Sequence, residues 1–98
     1  METKNKKINL VCERRIDKYR KISEAALKLA KKNIAKGKEE EAKEIITMVE
    51  CYLADSKHFE KQGHQVNAYG CLNYAHGWLD CGARLKIFNV TDNKLFTV

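Results

Sequence analysis

The stretch QVNAYGCLNYAHGWLDCGARLKIF, Gln65–Phe88, decides the fold. Placed at 100° per residue, Ala68, Leu72, Ala75, Leu79 and Ala83 form one apolar stripe, with Cys71, Tyr74, Trp78 and Leu85 beside it. Apolar character then covers well over half the circumference, so this helix has to be covered on more than one side. The polar remainder is narrow: Tyr69, Asn73, His76, Asp80 and Arg84 recur every three or four residues along one side. His76 and Asp80 are four apart and can touch.

Two further helices precede it. From about Lys4 to Ala35 an apolar face containing Ile8, Val11, Cys12, Ile16, Tyr19, Ile22, Ala26, Leu29, Ala30 and Ile34 opposes a face rich in charge. Arg20 falls on the charged face. Arg15 falls within the apolar one, where it either snorkels outward or meets a buried carboxylate. Lys36-Gly37-Lys38 reads as the stop. A second helix runs from Glu39 to Gln62, its Glu39-Glu40-Glu41 start matching the positive helix N-terminus. It buries Ala42, Ile45, Ile46, Val49, Tyr52, Leu53, Ser56 and Phe59 and leaves Cys51 and His58 wet.

Short links make sequential helices antiparallel. The expected architecture is therefore an all-α, up-down-up three-helix bundle: one domain over residues 1–98, helices near 4–35, 39–62 and 65–88, and a tail at 89–98. A chain of 98 residues with no proline and five glycines suits it. Leu95 and Phe96 are apolar for a tail, and are expected to fold back near Trp78 and the line joining Gly70 to Gly77.

Resemblance adds a family. Asp55-Ser-Lys-His-Phe59, Gly63, and Tyr74-Ala-His-Gly-Trp-Leu-Asp-Cys-Gly82 resemble a family of short archaeal proteins catalogued as domain of unknown function 357. Its pattern is an Asp-Ala-x-x-Phe segment, a Gly-Asp pair and a Tyr-Ala-x-Gly-Trp-Leu-Asp-x-Gly helix. The segments from Glu13 to Arg20 and the closing Leu95-Phe96-Thr97 are similar too. The family's Gly-Asp is Gly63-His64 here, which leaves His64 or Gln65 to start the third helix. The resemblance implies a three-helix bundle and no assigned activity. Some members look to be appended to nucleotidyltransferase-like domains, which implies an accessory role.

Little in the chain supports catalysis. Cys81 follows His76 by five residues, about 140° around the helix, so the two point apart. No glycine-rich run of the phosphate-binding or dinucleotide-binding kind is present. Cys12, Cys51, Cys71 and Cys81 form no CxxC pair, so neither metal nor cofactor is expected; buried free thiols in a cytosolic protein are. No apolar run reaches membrane-span length, and METKNKKINL lacks the core of a signal peptide.

Two kinds of surface remain. Gly70 and Gly77, seven residues apart, cost up to about 1 kcal/mol each inside a helix, which close approach of another backbone would offset. With Tyr74, Trp78, Cys81 and Phe88 they form a candidate docking face for a partner protein or a second copy. Charge supplies the other surface: residues 1–37 hold twelve Lys and Arg against four acids, residues 38–98 seven against nine. Arg14, Lys18, Lys21, Lys28 and Lys32 on the first helix are candidates for nucleic-acid binding, though without interleaved aromatics for base stacking.

Overall fold

The computed structural model describes residues 12–97. Its three helices are α1 Glu13–Lys31, α2 Glu39–Lys61 and α3 Gln65–Arg84. The expected helical residues before Cys12 lie outside the described part. The described α1 is therefore about 28 Å long rather than the 45 Å that the periodicity suggests.

Helices α1 and α3 both stop about four residues short of expectation, and the two differences have one cause. After α1, Ile34 pairs in antiparallel bridge geometry with Phe88. Ala35 N–H donates to the Ile87 carbonyl at 2.9 Å, and Asn89 N–H to the Asn33 carbonyl at 2.6 Å. Residues 33–35 and 87–89 thus satisfy one another's backbone instead of continuing two helices. Gly37, read as a helix stop, instead serves a turn: its φ is 86°, and Lys38 N–H reaches the Ala35 carbonyl at 3.0 Å.

The other helix ends follow the Schellman pattern. At α2, His64 N–H bonds the Phe59 carbonyl at 2.8 Å and Gly63 N–H bonds the Glu60 carbonyl at 3.0 Å, with Gly63 at φ 82°. The rings of Phe59 and His64 close the motif, centroids 6.2 Å apart. His64, which follows Gly63, packs here and makes no side-chain cap on α3. At α3 the same geometry places Lys86, not glycine, at φ 60°.

Helix α3 lies between the other two and packs against both, whereas α1 and α2 touch chiefly through side chains. That central place explains its wide apolar circumference. The antiparallel register of α1 on α2 is written in ion pairs: Arg20–Glu60 at 2.5 Å, Glu24–Lys57 at 3.6 Å and Lys31–Glu50 at 2.6 Å. Leu27 and Leu53 are buried between them.

Arginine and cysteine placements refine the sequence reading. Arg20, expected in solvent, has a side chain only 12% exposed. Arg15 takes the outward of its two alternatives: it is exposed, and the Tyr69 hydroxyl beside it raises its pKa further. Cys12, read as part of the apolar face, is exposed, as is Cys81; Cys51 is exposed as its helical position implies, and Cys71 is half-buried.

Candidate functional site

The polar side of α3 meets α1 and the tail. Ser23 Oγ lies 3.2 Å from His76 Nδ1, and His76 Nε2 lies 3.6 Å from Asp80 Oδ1. Because the Asp80 carboxylate only accepts, the consistent arrangement has the serine donating to Nδ1 and Nε2–H facing Asp80. Asp80 is itself held: Thr97 N–H donates to Oδ1 at 2.8 Å and the Thr97 hydroxyl to Oδ2 at 3.2 Å. Serine, histidine and aspartate in this order resemble a hydrolytic triad. Ser23, however, is 2% exposed, so no substrate carbonyl reaches its oxygen. The chain of contacts fastens α1, α3 and the tail together.

Beside it, Arg20 bonds Ser56 Oγ at 3.1 Å as well as Glu60, tying α1 to α2. Tyr69, first in the polar stripe, packs edge-on against Tyr19 with centroids 5.5 Å apart. Asn73 and Arg84 stay exposed. Of the polar stripe, then, Tyr69, His76 and Asp80 are structural contacts.

The tail returns to the bundle, but not where expected. A turn at Asp92, whose Oδ1 accepts Lys94 N–H at 2.8 Å, drops Phe96 into the core at 3% exposure. Its anchor is Asp80. The Gly70–Gly77 line stays open: a β-carbon built at either glycine would meet nothing within 4 Å. Phe88, expected on the docking face, is 1% exposed and belongs to the core. The glycine under close packing is Gly82, beneath the Phe88 ring.

What α3 shows to solvent is mostly uncharged. Val66 (63% exposed), Tyr74 (57%) and Leu85 (63%) are the exposed large hydrophobics among the described residues. All three fall, with Gly70, Gly77 and Cys81, within one 100° arc of the helix. An open groove of about 560 Å³ lies on one side of Tyr74, lined by Tyr52, Phe59, Val66 and Gly70. A smaller one of about 270 Å³ lies on the other, lined by Asn73, Gly77, Trp78 and Cys81. Tyr52 holds the Tyr74 ring edge-on, centroids 4.6 Å apart, so Tyr74 stands as a fixed knob.

On α1, Arg14, Lys18, Lys21, Lys28 and Lys32 are all exposed, and none pairs with another described acid. They span about 27 Å of one helix side. At the start of α1 the Cys12 thiol is held below its ordinary pKa, first by the backbone amide of Arg15. Burial pushes the Cys71 thiol up. Among the described residues no three His, Cys, Asp or Glu side chains converge as a metal site, and no helix is long and apolar enough to cross a membrane.

These features define a small helical protein whose Ser23, His76, Asp80 and Thr97 contact one another and whose exposed large hydrophobics, among the described residues, lie along one side of α3. The family model described as protein of unknown function (DUF357) matches residues 18–88, and the chain belongs to that family. No curated protein and no solved structure matches it.

Proposed function

We propose that this chain is a non-enzymatic helical interaction module that docks through the outward stripe of α3. The observation that carries the reading is that Val66, Tyr74 and Leu85, its exposed large hydrophobics, share one stripe instead of being scattered. Scattered exposed apolar side chains are ordinary; a contiguous set marks a surface that something covers. The burial of Ser23 within its histidine–aspartate contact removes the best catalytic alternative. A second copy or a separate protein covers the stripe, and an enzyme of nucleotidyltransferase type is the separate partner that the family resemblance suggests. With four free cysteines the protein suits a reducing, cytosolic setting.

Charge placed on the stripe tests this. Val66→Glu and Leu85→Glu keep the helical signal and melting temperature, and abolish association measured by light scattering and by capture with the immobilised chain. Wild-type and variant chains that behave alike in both assays defeat the reading.

A second reading rests on five exposed cations along one side of α1 and its C-cap: they form a phosphate-binding stripe for nucleic acid. Neutralising Lys21, Lys28 and Lys32 then flattens the salt dependence of RNA or DNA binding by about one log–log unit for each lost contact. No mobility shift at low salt ends it.

A further inference from the structure

Resting on the docking reading, we infer that the occupant of the α3 stripe is the same stripe of a second copy, antiparallel about a two-fold axis. The order of side-chain sizes along it carries the inference. Val66, Gly70, Tyr74, Gly77, Cys81 and Leu85 follow one another at spacings of four, four, three, four and four. The spacing is symmetric about a point between Tyr74 and Gly77, so inverting the helix superposes the stripe on itself. An isologous interface requires that property, because one patch has to complement itself.

The layers that inversion creates are complementary in size. Tyr74 shares a layer with Gly77 of the second copy, and the reverse holds by symmetry. Gly70 shares one with Cys81, and Val66 with Leu85 at the two ends. Each central layer joins a larger side chain to a glycine. The space is already there: Gly77 has nothing within 4 Å of a built β-carbon, and the groove of about 270 Å³ that it lines flanks Tyr74. The upright Tyr74 ring, fixed by Tyr52, enters that groove on the second copy. Charge does not oppose the contact. The chain carries a net +6, yet the stripe from Val66 to Cys81 holds no Asp, Glu, Lys, Arg or His.

Size sets the expected strength. A stripe about 28 Å long and about 10 Å wide buries about 300 Å² per copy, well under the roughly 800 Å² per partner of a stable complex. The dimer is therefore reversible and grows with concentration. The two glycines are accounted for as well, since both sit where backbones approach.

Sedimentation equilibrium over a concentration series tests the register. Wild-type chain shifts from monomer toward dimer. Gly77→Leu stays monomeric with its helical signal intact, because the added side chain occupies the place of the second copy's Tyr74. Combining Gly77→Leu with Tyr74→Ala exchanges large for small in the same layer and restores the dimer. A dimer that Gly77→Leu leaves unchanged overturns this register, with self-association standing on some other contact. A wild-type chain that remains monomeric overturns the second copy as occupant. The docking reading is then judged separately, by capture with the Val66→Glu and Leu85→Glu variants.

Discussion

The ring of Phe88 lies over the α-carbon of Gly82, so that a β-carbon there would overlap its Cε2 and sit 2.6 Å from Cδ2. Gly82→Ala therefore forces a buried aromatic ring to move, at a cost of about 1–3 kcal/mol. Gly70→Ala and Gly77→Ala meet open space, and each stabilises the monomer by up to about 1 kcal/mol through helix propensity. Thermal melts of dilute protein will separate the two classes by the sign of the change.

Arg20 and Glu60 join α1 to α2 at 2.5 Å with little solvent around the guanidinium. Glu60→Ala leaves that cation only the more distant, exposed Asp17 carboxylate at 4.0 Å and costs about 2 kcal/mol, which lowers the melting temperature by roughly 10 °C in a domain of this size. Lys31→Ala, which removes an exposed pair, lowers stability by less than about 1 kcal/mol.

Phe96 and Asp80 together hold the tail. Phe96→Ala loses a buried ring and costs about 2–3 kcal/mol, less than a central core position because the segment can detach. In Asp80→Ala the Thr97 amide loses its acceptor. Hydrogen exchange should then show the Thr97 amide unprotected while Leu72 and Leu79 keep their protection.

The thiols should react in an order set by their surroundings. Cys12, with its pKa lowered by the first turn of α1, alkylates fastest near neutral pH, and Cys71, pushed up by burial, slowest. Timed iodoacetamide labelling with peptide mass analysis checks this. For Cys71 the folded pKa lies above the unfolded one, so its neutral form contributes stability that is complete below the ordinary thiol pKa. That contribution is lost as pH rises through the raised value. Tyr52, raised in the same direction by burial, deepens the alkaline loss. Cys71→Ala should make the melting temperature less sensitive to pH on the alkaline side.

The sequence by itself determined the three helices, their antiparallel order and the family, because amphipathic periodicity and the Tyr74–Gly82 motif are local signals. It also supplied the outward stripe of α3, since Gly70, Tyr74, Gly77 and Cys81 follow from helical spacing. It misjudged the inward line of α1. The buried positions there are Ile16, Ser23, Ala26, Leu27 and Ala30, of which Ile16, Ala26 and Ala30 were expected and Ser23 and Leu27 were not, with Arg20 beside them nearly buried. Counting apolar residues turned the face away from Arg20 and Ser23, whose burial is tolerated only because Glu60, Ser56 and His76 receive them from other helices. The helix ends at Lys31 and Arg84, the anchoring of the tail on Asp80 and the seat of Phe88 on Gly82 were likewise decided by tertiary structure. Each depends on a contact made outside its own helix, from the 33–35 and 87–89 pairing to the Thr97–Asp80 bond seventeen residues apart and the Phe88 ring on Gly82, and the periodicity of a single segment holds no information about such contacts.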